Sequence, residues 1–495
     1  MEKQSWQPID KLAIFLIMIL LVVIGALVWG VERTTPRITS FSWYDNRIQA
    51  DDKAFLFTFS RPMEQESVEQ NLQIEPPLPG KFSWAGRRMA YTLDAPAPYG
   101  VEYQVSLEGA RESFKQKEQL GKAIEPFKAT FRTSDRAFAY IGVGQEEGQL
   151  IVWNLTQEKK KVLTPPNLVV SSFEIYPEGD KILFLANDRK SLLEGAPNDK
   201  LYTVTTGIND TSESESDTVV ELLLGNQSYY NLKFDLSQDG KTVVVQRLHR
   251  ENSSDFGLWI IKPDAELERL DQAPGGDFLI APDSQTMAIT QGQGIAIVPI
   301  EPEAEAEPLN FLPKYGRILS FSRDGSAAAM VDFNTNDPEL RYTQSLFFVN
   351  NQGIQKKLLT VPGSIHSCQF DPTLTNLYCV VAQRIEGTEE YQEQPYLVAV
   401  DIKKEEAYPL ALLPNQLDIH MSLSPDGLGL MIDQIVTPED PNFLIPPGLM
   451  TTSSGEIIIG GQLWLLVTSP TTPADKISSE LEKLPINGIN PRWFP

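Results

Sequence analysis

The residue types that carry most enzyme chemistry are scarce in this chain. Of its three histidines, His249, His366 and His420, none belongs to an H-E-x-x-H pair that could hold a metal. The sequence also lacks a G-x-S-x-G elbow, a P-loop, a dinucleotide fingerprint and an EF-hand loop. It therefore predicts no catalytic, cofactor-binding or metal-binding residues, and a protein that acts by binding and not as an enzyme.

The two cysteines have a spacing that suits a covalent link. Cys368 and Cys379 stand symmetrically about the centre of SCQFDPTLTNLYCV, so an antiparallel hairpin over this stretch places them opposite each other. Directly opposed cysteines lie close enough to bridge, and an oxidising compartment favours the disulfide. The alternative is two separate buried thiols, since cysteine also serves as a small core residue.

The cysteines and histidines lie in a region built from a repeated pattern of strands. After residue 134 one pattern recurs six times: an apolar strand, a turn rich in Pro, Asp and Gly, a second apolar strand, a loop and a third strand. The turns centre on residues 177, 238, 282, 323, 372 and 425. Repeats of about 40–50 residues built from four short strands are typical of β-propellers. The Asp-Gly pairs are interpreted as structural, because tight hairpins need residues with φ > 0.

One turn matches a known repeat family in full. Residues 424–427 read Ser-Pro-Asp-Gly, and the turns at 237–240, 281–284 and 322–325 match in part, whereas Asp371-Pro372 departs from the pattern. These turns resemble the repeats of TolB-like and WD40-like propellers, and the resemblance implies a β-propeller over residues 134–495.

The two ends of the repeat region complement each other. Residues 138–164 supply three strands without a first one, whereas the tail, INGINPRWFP, reads as the first strand of a further repeat. We therefore predict that the C-terminal strand completes the N-terminal blade, that Trp493 or Phe494 is buried there, and that the propeller has seven blades. Pairing the two ends would protect sheet edges that are otherwise exposed.

A different all-β unit precedes the repeats. Residues 36–133 alternate apolar and polar side chains in short runs separated by Pro and Gly, which favours a β-sandwich. The ordered motifs FTFSRPM, PPLPGKFSW, YGVEYQVSLEGA and FRT resemble the SbsA-type Ig-like domain of bacterial envelope proteins. This resemblance implies a spacer or adhesion module without chemistry of its own.

The N-terminal residues predict the location of the protein. Residues 12–31 carry no charge and are numerous enough to cross a bilayer as a helix. We expect a transmembrane signal anchor that contacts the lipid bilayer through these residues, with residues 1–11 cytoplasmic; the alternative is a cleaved signal peptide. The prediction is a single-pass inner-membrane protein whose bulk is periplasmic or extracellular.

Charge narrows the range of partners. The formal charge of the chain is −24, and residues 134–495 hold 26 basic and 50 acidic residues, which accounts for all of it. Such a surface repels nucleic acid, so no nucleic-acid partner is expected.

Long loops mark one end of the predicted propeller. The second-to-third strand connections fall at residues 187–200, 249–255, 334–343, 384–395 and 436–457, and loops collected on one face suggest a binding face. The last of them contains an apolar segment that we take as a candidate partner-binding loop, with Phe443, Leu444, Ile445, Leu449 and Met450. In the alternative, Phe443, Leu444 and Ile445 fold back over the propeller.

The sequence as a whole predicts a membrane-anchored bacterial envelope protein whose propeller binds an envelope protein or polysaccharide in a scaffold or assembly role. The alternative is a propeller-fold glycan hydrolase or lyase that uses carboxylates facing the channel. Acidic residues and a histidine converging at the channel mouth would favour that alternative.

Overall fold

The structure is a computed structural model that describes most of the chain. The described residues are 13, 15–22, 35–50, 52–113, 121–194, 198–208, 218–263, 265–270, 276–291, 294–300, 312, 314–387, 391–416, 418–438 and 448–495. They form two compact units, residues 1–134 and 135–495.

The predicted membrane segment is only partly covered. Residues 13 and 15–22 are helical, whereas residues 12, 14 and 23–31 lie outside the described residues. Among the residues that are described, no helix has both the length and the apolar character needed to span a bilayer.

Among the described residues 35–134, the first unit contains two four-stranded sheets and one short helix. One sheet has the order β1-β3-β6-β5 and the other β2-β8-β7-β4. The strands are β1 (Ile38–Phe41), β2 (Arg47–Ile48), β3 (Ala54–Phe59), β4 (Leu72–Glu75), β5 (Gly80–Ala85), β6 (Arg88–Leu93), β7 (Glu102–Leu107) and β8 (Phe127–Thr133), and the helix is α1 (Gln65–Asn71).

Alternation along the strands builds the core of this unit. In β3, Phe55, Phe57 and Phe59 are buried while the residues between them are not, as a strand with one core face requires. These rings pack with Phe131 and other residues of the opposite sheet in one cluster. The unit is thus a two-sheet β-sandwich, and its Ig-like character stays a prediction.

The described residues of the second unit form seven consecutive sheets, which we call blades 1 to 7. Six have four strands, and blade 4 has three among the described residues, with Leu312 bridged to Ile295 beyond its third strand. Blade 1 consists of β9 (Ala137–Gly142), β10 (Leu150–Asn154), β11 (Lys159–Val162) and β35 (Gly488–Trp493), and blade 2 of β12 (Leu168–Ile175), β13 (Lys181–Asp188), β14 (Lys200–Thr205) and β15 (Val220–Leu224). Blade 3 consists of β16 (Tyr229–Leu236), β17 (Val243–His249), β18 (Phe256–Ile261) and β19 (Glu268–Arg269), blade 4 of β20 (Phe278–Ile280), β21 (Thr286–Gln291) and β22 (Gly294–Pro299), and blade 5 of β23 (Arg317–Phe321), β24 (Ala327–Asp332), β25 (Gln344–Asn350) and β26 (Gln355–Val361). Blade 6 consists of β27 (Gly363–Phe370), β28 (Asn376–Arg384), β29 (Glu393–Asp401) and β30 (Glu406–Leu412), and blade 7 of β31 (Met421–Leu423), β32 (Gly429–Val436), β33 (Gly460–Val467) and β34 (Leu481–Lys483).

Short helices lie in the connections of this unit. They are α2 (Arg189–Leu193) and the 3-10 turns Gly144–Glu146, Pro338–Leu340 and Ala474–Lys476.

The first strands of the blades follow one another around the unit. Each contacts the next from β16 through β20, β23, β27 and β31 to β35, and β35 contacts β12. Blades 2 and 3 share a core cluster that contains Leu183, Phe234 and Val245. This succession of sheets, with the last strand returning to the first blade, is the arrangement of a β-propeller.

The predicted role of the C-terminal strand is confirmed. Strand β35 pairs with β9 in antiparallel register, from Gly488 opposite Gly142 to Trp493 opposite Phe138. The Trp493 ring is buried against Phe138, with 5.6 Å between the centroids. Phe494 is buried in a second cluster that includes Phe173 of blade 2.

Successive strands run antiparallel, so the first-to-second turns and the second-to-third loops lie at opposite ends of each blade. We call these ends the turn face and the loop face. On the turn face, the hydroxyls of Ser237, Ser322 and Ser424 lie 2.7, 2.7 and 2.5 Å from the carboxylates of Asp239, Asp324 and Asp426, respectively. The same hydroxyls accept the backbone N–H of the strand that follows, for example that of Gly429 at 2.9 Å. These aspartates therefore act within their own turns.

Candidate functional site

The loop face carries a cavity where blades 7, 1 and 2 meet. Its volume is about 320 Å³, within the range of small-ligand sites. The apolar part of its lining is Ile141, Val169, Val170, Leu192, Ile435, Leu449, Met450, Ile458 and Ile489. The polar part is Ser171, Asn187, Asp418, His420, Thr451, Ser453 and Asn490.

The apolar wall is an extension of a blade core. Ile435 at the end of β32, together with Met450 and Ile458, packs into the cluster that holds Val170 and Ile489. Ile435 lies on a strand, whereas Met450 and Ile458 lie in the connection between β32 and β33, and packing into this cluster holds all three side chains in place.

The polar wall is organised by Asp433, a fully buried carboxylate on β32. Its Oδ1 accepts the backbone N–H of His420 at 2.8 Å, and its Oδ2 lies 2.8 Å from Nδ1 of the same residue. Oδ2 also accepts the backbone N–H of Asn490 at 2.8 Å. One carboxylate thus fixes both the orientation of the imidazole and the position of the last strand.

His420 keeps one ring nitrogen available. Nδ1 is engaged by Asp433, whereas Nε2 has no hydrogen-bond partner among the described residues. About 40% of the side chain is accessible, and it lines the cavity. When Nδ1 donates to Asp433, the neutral ring presents Nε2 to the cavity as an acceptor.

The charge state of His420 depends on opposing influences. Burial disfavours the imidazolium, but attraction to the Asp433 carboxylate and the hydrogen bond to it outweigh that cost. Arg492 disfavours the charge and Asp418 favours it. The net result is that the pKa of His420 is raised above its usual value.

Asn490 is held in an unusual backbone conformation at the cavity. It lies at an irregularity in the pairing of β35 with β9 and has φ of +50°. Only 5% of the residue is exposed, and its side chain lines the cavity. The side-chain amide has no hydrogen-bond partner in the part of the chain that the structure describes, so it is available to a molecule in the cavity.

The rim of the cavity is fastened to the blades. The Asp418 carboxylate accepts the N–H of Ser453 at 2.6 Å and its hydroxyl at 2.5 Å. On the other side, Glu147 accepts the N–H of Met450 at 3.0 Å, and Arg189 donates to the Glu147 carbonyl oxygen at 2.6 Å. The described part of the blade 7 loop is therefore a fixed rim.

The structure places the predicted binding loop in two groups. Leu449 and Met450 line the cavity, and Met450 is buried in the core cluster rather than displayed at the surface. Phe443, Leu444 and Ile445 lie outside the described residues.

The two cysteines lie opposite each other in β27 and β28 and form a disulfide that belongs to the core of blades 5 and 6. Of the other histidines, His249 packs edge-on against Tyr229, and burial lowers the pKa of His366. Neither residue lines the cavity.

Sequence reasoning missed Asp433, Asn490 and Asp418 as site residues. They come from three strands or connections of different parts of the repeat, and no spacing joins them. The one local sign is Asn490-Pro491 inside a strand, a pair that favours irregular backbone.

A second group of charges lies on the first strands. Arg492 of β35 contacts Glu174 of β12 at 2.6 Å. Burial and the Glu174 charge raise the pKa of Asp235 on β16 to about 7, although Asp235 accepts the N–H of Ile280 at 2.7 Å. The Arg492–Glu174 ion pair joins blades 1 and 2, and the hydrogen bond from Ile280 to Asp235 joins blades 3 and 4. Both contacts therefore have a structural role.

The loop face also displays aromatic rings beyond the cavity. Tyr342 and Tyr391, in the loops of blades 5 and 6, are 74% and 62% exposed, and the Arg384 guanidinium lies 5.9 and 5.8 Å from their ring centroids. Tyr342 has φ of +64°, and Asn334 fastens the loop by donating to Thr343 Oγ1 at 2.8 Å. An exposed tyrosine on a constrained backbone is typical of a recognition surface.

Comparisons with known proteins give only distant structural likenesses. No protein-family model matches the chain, and no curated protein matches it. Among solved structures, TolB from Acinetobacter baumannii is 11% identical with a TM-score of 0.38, covering 86% of this chain and 83% of TolB. An oligogalacturonate lyase from Vibrio parahaemolyticus is 13% identical with a TM-score of 0.41, covering 71% of this chain and 86% of the lyase. A prolyl endopeptidase structure is 10% identical with a TM-score of 0.44, covering 72% of this chain and 49% of the other.

Proposed function

We propose that this protein is a membrane-anchored bacterial envelope protein, and that its propeller binds a protein or polysaccharide partner in a scaffold or assembly role, without catalysis. The observation that carries the proposal is the cavity on the loop face, which is lined by blades 7, 1 and 2. Preformed concave sites with an apolar wall and a few polar groups are the usual form of binding sites.

The polar groups in the cavity support this role. Nε2 of His420 and the side-chain amide of Asn490 line the cavity and have no hydrogen-bond partner among the described residues. Both are therefore available to form hydrogen bonds with a ligand.

The exposed tyrosines support a wide contact area on the same face. Tyr and Arg are enriched at the centres of protein interfaces, where they carry much of the binding energy. Tyr342, Arg384 and Tyr391 provide such a cluster in blades 5 and 6.

Three features support anchoring and export. Residues 15–22 all have large hydrophobic side chains that are at least 45% exposed, which suits contact with lipid. The whole of 12–31 is free of charge, and the Cys368–Cys379 disulfide suits an oxidising compartment. Separating membranes from soluble material and extracting them with alkaline carbonate would test this; release of the full-length chain by carbonate would contradict it.

Site-specific photo-crosslinking in the native cell tests the binding face. We would place benzoylphenylalanine at Thr451 on the cavity rim, at Tyr342 on the loop face, and at the exposed turn-face residue Gln352 as the control. We expect a shared adduct from the two loop-face positions and none from Gln352. Adducts from Gln352 alone would overturn the proposal.

A second candidate, a glycan hydrolase or lyase, has its own observation. Glu174 and Asp235 are neighbouring carboxylates, the pKa of Asp235 lies at about 7, and His420 is oriented by Asp433. Incubating the purified protein with neutral and uronic-acid oligosaccharides and measuring new reducing ends would test it. Cleavage that Asp235→Asn or His420→Gln abolishes would favour the enzyme over the binding module.

A further inference from the structure

We infer that the loop-face cavity accepts a basic side chain on an aliphatic stem, the lysine or arginine of a protein partner. This inference rests on the proposed function, and it chooses between the two partner classes and names the contacting group.

The shape of the cavity suits a stem with a polar end. Its lining combines apolar side chains, among them Val170, Ile435 and Ile458, with the polar side chains of Asp418, His420 and Asn490. Lysine and arginine side chains commonly lay their methylene groups along an apolar surface while the charged end reaches polar groups. A volume of about 320 Å³ holds one such side chain with part of its backbone.

The polar groups that face the cavity can accept hydrogen bonds. Within the described residues the Asp418 carboxylate accepts hydrogen bonds from Ser453 alone, neutral His420 offers Nε2, and the Asn490 amide offers its oxygen. Ammonium has three donors and guanidinium five, and neither has an acceptor. A cation with several donors therefore satisfies more of this wall than an anion does.

Charge points in the same direction. The titratable groups around the imidazole are Asp433 on β32, Asp418 on the preceding connection, and Arg492 on β35, and Arg492 is itself paired with Glu174. With His420 neutral, as cation binding requires, neither Asp418 nor Asp433 forms an ion pair with a basic side chain within the described residues. The excess of acidic residues in 134–495 adds a long-range attraction for a basic partner.

An amino sugar shares the ammonium group but not the stem. Its cation is attached to a hydroxyl-rich ring, which would place polar atoms against Val170, Ile435 and Ile458 without partners. We therefore assign the cation to a protein side chain and make the amino sugar an outcome of the test.

Four small probes test this on the full-length protein. We would titrate N-acetyl-arginine amide, N-acetyl-lysine amide, N-acetyl-norleucine amide and glucosamine, and follow the methyl signals of isotopically labelled methionine, which include Met450. The arginine and lysine probes are expected to shift Met450 and to bind at least tenfold more tightly than the norleucine probe. Equal binding of the norleucine probe, or binding of glucosamine alone, would overturn the inference.

Paired variants separate a specific carboxylate from general charge. Asp418→Asn is expected to weaken the arginine probe about tenfold, whereas Glu386→Gln removes the same charge from an exposed position on the loop face and should change affinity less than twofold. An unchanged melting temperature shows that Asp418→Asn is folded. Equal effects of the two substitutions would contradict the assignment.

The pH dependence supplies an independent readout. Protonated His420 repels a cationic ligand, so affinity for the arginine probe should fall as pH decreases through the pKa of His420. Tighter binding at low pH would contradict the inference. If no probe binds while crosslinks form at Thr451, this inference fails and the binding face stands; if the crosslinks are also absent, the proposed function fails with it.

Discussion

The two faces of the propeller are built by different rules. On the turn face, a proline of one blade packs against the turn glycine of the next, as Pro177 does on Gly240, Pro282 on Gly325 and Pro372 on Gly427. On the loop face, each connection differs in length and composition, and one set of them encloses a cavity. The repeated proline–glycine contacts thus join neighbouring blades on the turn face, whereas the varied connections form the cavity on the loop face.

This comparison predicts that substitutions on the two faces have separable effects. Changes on the turn face should lower the free energy of unfolding without altering a particular contact with a ligand. Changes on the loop face should alter binding and leave stability nearly unchanged. The predictions below run from the largest expected effect to the smallest.

Deleting residues 488–495 should abolish stable folding. The deletion exposes the edge of β9 and removes Trp493 and Phe494, and the loss of one buried aromatic costs about 3–5 kcal/mol. That is a large share of the about 5–15 kcal/mol that stabilises a domain. Yield of soluble protein and thermal melting would measure the effect. Deleting residues 211–217, which lie outside the described residues, is the control; equal melting of both deletions would contradict the pairing of β35 with β9.

Gly427→Ala should destabilise the protein more than Gly353→Ala. Both glycines have positive φ, +72° and +79°, so alanine costs about 1 kcal/mol at each. At Gly427 the new Cβ would also lie 2.8 Å from Pro372 Cδ, whereas at Gly353 nothing lies within 4 Å. The crowding adds about 1–3 kcal/mol. Denaturant unfolding of the matched pair would measure the difference; equal losses would show that the blades do not pack tightly at this turn.

Asp235→Asn should change how stability depends on pH. The pKa of Asp235 is raised in the folded protein to about 7, so the native state favours the protonated carboxyl, and its contribution is lost as pH rises from about 4 through 7. Asparagine keeps an acceptor for Ile280 and carries no charge. The variant should therefore gain stability relative to the wild type as pH rises from about 4 to 8, by up to about 4 kcal/mol, the free energy that corresponds to a pKa of about 7 instead of about 4. A constant difference between pH 5 and pH 8 would contradict the buried environment of this carboxyl.

Tyr342→Gly should have the smallest effect on stability. The residue is exposed and has φ of +64°, a conformation that costs tyrosine more than glycine. We expect melting to be unchanged or the unfolding free energy to rise by up to about 1 kcal/mol, while crosslinking through neighbouring loop-face positions weakens. A loss of more than about 2 kcal/mol would show that Tyr342 supports the fold.

The sequence predicts the features of the turn face better than those of the loop face. Turns such as Ser424–Gly427 recur, so the repeat, the opposed cysteines and the return of the C-terminal strand to β9 can all be read from residue patterns. The cavity cannot be read in this way, because Asp418, Asp433 and Asn490 meet only after blades 7 and 1 pack together. Met450 shows the limit most plainly: its apolar loop left partner contact and folding back over the propeller as alternatives, and only the packing shows that Met450 is part of the cavity wall.

The most direct test compares the adduct yield at Thr451 in two backgrounds, at a temperature below both melting transitions. His420→Gln alters the cavity and is expected to leave the fold intact, so it should reduce the adduct several-fold at an unchanged melting temperature. Gly427→Ala alters the turn face, so it should lower the melting temperature and leave the adduct at the wild-type level. If the adduct yield fell in Gly427→Ala and stayed at the wild-type level in His420→Gln, the claim that the loop face is the binding site would be contradicted.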